Sequence, residues 1–136
     1  EALEVLENLP AKRKIAVLGD MLELGKYTLE AHHETGRRVA KVADILITVG
    51  LRGKFIAEGA IRAGLSKKSI FSFMSVEEAG RFLQGKLAKS DLILVKASQA
   101  VRLEKVVKEV MKEPLRAEEL LVRHNKEWLA KPGLYE

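Results

Sequence analysis

Cysteine is absent from this 136-residue chain, aromatic residues make up only 5% of it, and there are just three prolines. Without cysteine no disulfide can staple a small scaffold, so the fold has to be carried by a hydrophobic core. A reducing compartment is permitted by the same absence. No apolar run approaches the roughly 18 to 20 residues that cross a bilayer. The longest, Ile45 to Val49 and Leu92 to Val95, are of strand length, so no membrane span is expected. The opening Glu1-Ala2-Leu3-Glu4 is acidic and amphipathic, unlike the basic, apolar and small-residue sections of a secretory signal.

Several chemical motifs are missing as well. Gly53-Lys54 is followed by Phe55 and lacks the preceding glycine spacing of a Walker phosphate loop. No Gly-x-Gly-x-x-Gly follows a strand, which argues against a dinucleotide site, and no Gly-x-Ser-x-Gly elbow supports a hydrolase. The sequence assembles no complete catalytic set.

What is present suits one folded domain. Hydrophobic residues make up 47% of the chain, too many for disorder. A domain of this length buries roughly two thirds of its unfolded surface. Lysine and arginine number 24 against 19 acidic residues, a formal charge of +5. The basic clusters Lys12-Arg13-Lys14, Arg37-Arg38 and Lys67-Lys68 are short, and no aromatic residue is interleaved to stack on bases. Nucleic acid is therefore not the expected partner.

Hydrophobic pattern alternates along the chain. Strands are expected at Ile15 to Leu18, Ile45 to Val49, Ile70 to Phe73 and Leu92 to Val95, each followed by a segment of helical period. Thr28 to Ala43 places Leu29, His32, Gly36, Ala40 and Ala43 on one helical face. A weaker helix spans Lys54 to Ala63, with Gly64 as its stop. Ser75-Val76-Glu77-Glu78 is a capping-box pattern that should start a helix running to about Leu87. Leu103, Val106, Val107, Val110 and Met111 recur at helical spacing, Pro114 breaks that helix, and a final amphipathic helix is expected from about Leu115 to Leu129. Strands alternating with helices imply βαβ units, hence a three-layer α/β domain with a mostly parallel sheet. Glu1 to Leu9 is itself helical in period with no strand before it, so a preceding strand is expected to lie outside the chain.

In such sheets ligands gather at the carboxyl ends of the strands. Gly19-Asp20-Met21-Leu22-Glu23-Leu24-Gly25 is the richest of these ends, with two carboxylates in a glycine-flanked loop. It reads equally as a loop that orients an ion or ligand and as a turn in which Asp20 bonds nearby amides. Gly50-Leu51-Arg52-Gly53 and Met74-Ser75 are further ends expected along the same edge. Lys96-Ala97-Ser98-Gln99 sets an ammonium, a hydroxyl and an amide at the end of a buried strand. Lys96 and Ser98 could hold a carboxylate or phosphate there, or Ser98 could cap a helix beside a snorkelling lysine. His32, one turn before Gly36, reads as a packed or supporting histidine rather than a metal ligand, since no partners stand at ligand spacing.

These residues together resemble the C-terminal domain of a Mur ligase. The resemblance is carried by Ile15-Ala16-Val17-Leu18-Gly19-Asp20-Met21-Leu22-Glu23-Leu24-Gly25, by His32 with Gly36, by Val49-Gly50, and by Leu94-Val95-Lys96-Ala97-Ser98 leading to Leu103-Glu104. It covers about residues 1–111, and residues 114–136, expected to form a helical extension, match no motif of the family. It implies a Rossmann-like domain of a cytoplasmic, ATP-dependent ligase of peptidoglycan precursor synthesis. The acceptor would be UDP-N-acetylmuramoyl-tripeptide, activated as an acyl phosphate, and the incoming amine D-alanyl-D-alanine. ATP and Mg2+ would be bound mainly by a central domain that carries the phosphate loop, beside an N-terminal domain for the uridine nucleotide, so the isolated chain is expected to be inactive.

The resemblance further implies that Asp20, Met21, Glu23, Gly50, Lys96, Ser98 and Gln99 face substrate or ATP, while His32 and Gly36 support the structure and no catalytic or metal-binding residue is assigned. Lys96 and Ser98 match the first and third positions of a Lys-Gly-Ser-Arg loop. Ala97 and Gln99 depart from it, and Gln99 removes a fixed positive charge. The reading from a different class is a stand-alone α/β module that binds an acidic partner or nucleic acid.

Overall fold

Four short runs form the parallel part of a six-stranded sheet: β1 (Arg13–Gly19), β2 (Ile45–Val49), β3 (Ile70–Phe73) and β4 (Asp91–Lys96). The computed structural model describes residues 2–20, 28–88, 91–96, 120–124 and 127–131. All of β2 is buried, as are β1 from Ile15 onward and β4 up to Val95. Continuous apolar runs of this kind are required where parallel strands are covered on both faces.

Side-chain alternation divides the core in two. Ile15, Val17, Ile47, Val49, Ile93 and Val95 pack with Ala79 and Leu83 of α4 (Val76–Lys86). Ala16, Leu18, Leu46, Leu92 and Leu94 face the other way, onto Leu3 and Leu6, Val39, and Ile56 and Ala60. Those residues belong in turn to α1 (Ala2–Asn8), α2 (Thr28–Val39) and α3 (Gly53–Arg62). The result is the expected three-layer α/β domain.

Local signals hold at several boundaries. The Ser75 hydroxyl accepts from the Glu78 amide at 3.2 Å and so caps α4, while its own proton goes to the Glu77 carboxylate at 3.1 Å. Gly64 ends α3 at φ +107°, with its amide on the Ile61 carbonyl and the Leu65 amide on that of Ala60, both at 3.0 Å. The α2 helix stops at Val39 rather than Ala43, finishing in a turn where the Ala43 amide reaches the Val39 carbonyl at 2.9 Å. Leu29, expected on the core face, is 45% exposed; His32, Gly36 and Val39 are the buried residues of the helix.

The two glycines between α2 and α3 explain how those helices pack. A β-carbon on Gly36 would run into the Ile56 carbonyl oxygen and lie 2.8 Å from the Ala60 amide, and one on Gly59 would strike the His33 carbonyl. Each helix thus rests its backbone in the other's notch.

The end of the chain corrects one expectation. The final segment is not an amphipathic helix over its described part: Leu120–His124 forms β5 and Glu127–Lys131 forms β6. β6 pairs antiparallel with β4 and β5 with β6, extending the sheet to the order β3-β2-β1-β4-β6-β5. Short apolar runs such as Leu120-Leu121-Val122 and Trp128-Leu129-Ala130 suit either period. Strand β4 offers a row of backbone donors and acceptors along its free side, and pairing with them favours the extended form of this segment over a helix. The helix expected over 103–111 lies outside the described residues.

Candidate functional site

The strand order fixes where loops diverge. From β1 the chain moves outward through β2 to β3, then returns to place β4 on the other side of β1. The order therefore reverses between β1 and β4: α2, which follows β1, packs on one face of the sheet, and α4, which leads into β4, packs on the other. A crevice at the carboxyl ends of such a pair is the usual ligand position in open α/β sheets. Asp20 directly follows β1, and Lys96 closes β4, where it registers opposite Leu18. On its other flank Lys96 registers opposite Glu127 of β6.

Asp20 is turned toward the neighbouring strand end. It is 8% exposed, and its Oδ1 accepts from the main-chain amide of Arg52 at 3.0 Å. Its Oδ2 lies 3.6 Å from Arg52 Nη1, a long contact for a half-exposed guanidinium. The magnitudes separate these two contacts. A buried carboxylate bonded to an amide contributes about 1.5 to 3 kcal/mol, whereas a loose, partly solvated ion pair contributes about 1 kcal/mol or less.

Gly50 makes the approach possible. It adopts φ +108° at the end of β2, and any β-carbon there would lie 2.6 to 2.9 Å from the atoms of the Asp20 carboxyl group. The turn continues with the Gly53 amide on the Gly50 carbonyl at 3.1 Å, and Gly53 closes over Thr48, whose hydroxyl donates to Ser72 at 2.7 Å. The first two strand ends thus form one hydrogen-bonded unit.

Of the residues singled out in the sequence, Asp20, Gly50 and Lys96 stand at this edge. Met21, Glu23, Ser98 and Gln99 lie outside the described residues. His32 and Gly36 are elsewhere, between α2 and its neighbours. The His32 ring is fully buried, and its Nδ1 lies 2.6 Å from the Thr28 carbonyl. A carbonyl can only accept, so Nδ1 carries the proton. Arg52 belongs to the strand end Gly50-Leu51-Arg52-Gly53 expected at this edge, but sequence reading assigned it no role of its own; its only signal was its place two residues after a strand-ending glycine. Among the described residues no group of three or more His, Asp or Glu side chains is arranged to hold a metal ion.

A groove of about 540 Å³ between α2 and α3 lies apart from this edge, with Glu30, His33, Glu34, Arg37, Lys41 and Arg62 among its lining. Its charges are partly matched to one another, Arg37 Nη2 meeting the Glu34 carboxylate at 2.6 Å. None of the described strand-end residues lines it.

Comparison with known proteins gives a consistent result. A family model described as Mur ligase, glutamate ligase domain, matches residues 1–99. The UDP-N-acetylmuramoyl-tripeptide–D-alanyl-D-alanine ligase of Bacillus subtilis is 35% identical over 116 residues, 84% of this chain and 25% of that protein. The ligase of the same name from Rickettsia prowazekii is 36% identical over 110 residues, 78% of this chain and 23% of that protein. The chain thus spans about a quarter of the length of these relatives. Among solved structures, MurF ligase from Thermotoga maritima in complex with ADP superimposes with a TM-score of 0.67 at 32% identity, over 82% of this chain and 24% of that one. MurF from Acinetobacter baumannii gives 0.70 at 28% identity, over 82% and 25%. With the family model covering most of its length and these relatives sharing its α/β fold, the chain belongs to the Mur ligase family.

Proposed function

We propose that this chain is the C-terminal domain of a cytoplasmic, ATP-dependent ligase that joins D-alanyl-D-alanine to UDP-N-acetylmuramoyl-tripeptide. The observation that carries the reading is that Leu18-Gly19-Asp20, the start of the sequence block that runs to Gly25, closes β1 where the strand order reverses, in a chain 35% identical to a ligase of that name. In the reaction the tripeptide carboxylate attacks the γ-phosphorus of ATP, giving an acyl phosphate and ADP. The dipeptide amine then attacks the acyl carbon, losing a proton as the amide forms and inorganic phosphate departs.

The part of this domain is to close over the reactants. Ligand contacts are drawn from Met21, Glu23, Gly50, Lys96, Ser98 and Gln99, with Asp20 at the root of the first loop. Lys96 supplies a positive charge at the crevice, where phosphate and carboxylate oxygens carry negative charge. Magnesium, which neutralises phosphate charge when bound, is assigned to the rest of the ligase. Catalysis by this chain alone is not expected, because it has no phosphate loop. Its partners are then the N-terminal and central domains of the same enzyme.

The test is ligation in the full-length enzyme, read as phosphate release dependent on both D-alanyl-D-alanine and the tripeptide. Lys96→Ala should lower kcat/KM by about tenfold or more, the scale of one lost charge-assisted contact, with an unchanged circular dichroism spectrum. Wild-type kcat/KM in that variant would remove Lys96 from the site, and failure of the parent enzyme to use D-alanyl-D-alanine would sink the proposed function.

A further inference from the structure

We propose that Asp20 is a positioning residue of this ligase, acting through the main-chain amide of Arg52 and not by touching a phosphate or metal ion. The inference rests on the ligase reading and deepens it. The Asp20 carboxyl group is nearly out of solvent. Of its two contacts with Arg52, the better is the 3.0 Å bond from the amide; the guanidinium stands farther away, at 3.6 Å. The backbone of Gly50 lies directly against the carboxyl group and holds φ +108° there.

These contacts join two loops that sequence separates. Asp20 belongs to the exit of β1 and Arg52 to the exit of β2, 32 residues later. With the bond made, the β2–α3 turn is held in relation to the end of β1 at Asp20 before any ligand arrives. Without it, binding has to order the turn as well, and the expected consequence is a higher KM with kcat largely kept.

The chemistry of an amide bond differs from that of a charge contact, and this makes the proposal testable. An amide donor is satisfied by any carbonyl-type oxygen, so Asn can replace Asp at this position. A cation or metal contact needs the charge. In the full-length ligase, Asp20→Ala should raise KM for the dipeptide or ATP by about tenfold, whereas Asp20→Asn should recover KM to within about threefold of the parent. Hydrogen exchange of the Arg52 amide should be about tenfold faster in the Ala variant and close to the parent in the Asn variant.

Equal loss of activity in the Asn and Ala variants would overturn the proposal, because it would mean that the charge is what matters. So would an Arg52 amide whose exchange ignores the Ala substitution. Should the Ala variant fail to fold, the Asn variant decides alone: recovery of KM supports the proposal and loss of it overturns it. The exchange measurement needs no turnover. An enzyme that lacks ligation but keeps the Asp20-dependent protection therefore fails the functional reading and not the contact.

Discussion

Gly50 and Asp20 meet so closely that a β-carbon on Gly50 would sit 2.6 Å from Oδ1 of the carboxylate. The glycine answers two constraints at once, since its φ of +108° is also one that L side chains rarely adopt. Gly50→Ala should therefore cost about 2 to 4 kcal/mol, combining backbone strain with overpacking. Urea unfolding of the two proteins measures it, and a loss under about 0.5 kcal/mol, the scale of a neutral surface change, would contradict the geometry.

Glycines inside helices provide a contrast within one molecule. Gly36→Ala or Gly59→Ala drives a methyl group into the backbone of the facing helix and should destabilise by about 3 kcal/mol or force α2 and α3 apart. Gly85 is exposed near the end of α4, and a β-carbon there would have nothing within 4 Å, so it should behave in the opposite way. Gly85→Ala should stabilise by about 0.5 to 1 kcal/mol through helix propensity. In thermal melts Gly85→Ala should lie above the parent and the other two variants well below it; similar melting temperatures for all would refute the notch.

At the amino-terminal edge of the sheet, Arg13 and Asp91 form a bidentate pair, Nε to Oδ1 at 2.9 Å and Nη2 to Oδ2 at 2.6 Å. The carboxylate is 1% exposed and also accepts from the Ala88 amide at 2.9 Å. Arg13→Ala leaves that charge buried without its cation and should cost about 3 to 5 kcal/mol. The hydrogen bond to Asp91 holds the Arg13 pKa above the ordinary arginine range. A raised pKa means that the Arg13 side of this contribution is fully present at neutral pH and is lost only in strong alkali. Denaturant unfolding of Arg13→Ala at pH 7 is the check, with a change under about 1 kcal/mol counting against the pair's importance.

Glu34 and Arg37, one helical turn apart on α2, make a solvent-exposed pair. The hydrogen bond from Arg37 lowers the Glu34 carboxyl below its ordinary value of 4.5. A lowered folded-state pKa gives a contribution that is present above the ordinary value and fades as pH falls through the folded one. An NMR titration of the Glu34 side-chain carboxyl should therefore find its midpoint below 4.5, moving back upward in Arg37→Gln and in high salt. A midpoint that ignores Arg37→Gln would show that the pair does not persist in solution.

Arg13, Arg37 and Arg52 each face a carboxylate, so these basic side chains are matched internally, while the net charge of +5 is left as it was. That arrangement explains why short basic clusters in the sequence need not mark a polyanion surface. It also accounts for Arg52 having no role of its own in the sequence reading. Nothing in Gly50-Leu51-Arg52 reveals that an aspartate 32 positions earlier will bind its amide.

The alternation of short apolar runs with helical segments determined the α/β class, and the Ser75 cap and Gly64 stop determined where helices begin and end. These features depend on hydrogen bonds and dihedral preferences within a few residues, so they can be read from a short stretch of chain. Only the tertiary structure decided the pairing of Asp20 with Arg52, the backbone contact at Gly36 and Gly59, and the Arg13–Asp91 bridge across 78 residues. It also turned an expected helix into the β5–β6 hairpin, because β4 offered unpaired backbone groups at its edge. Contacts of that kind depend on which surface another part of the chain presents, and no local periodicity encodes that.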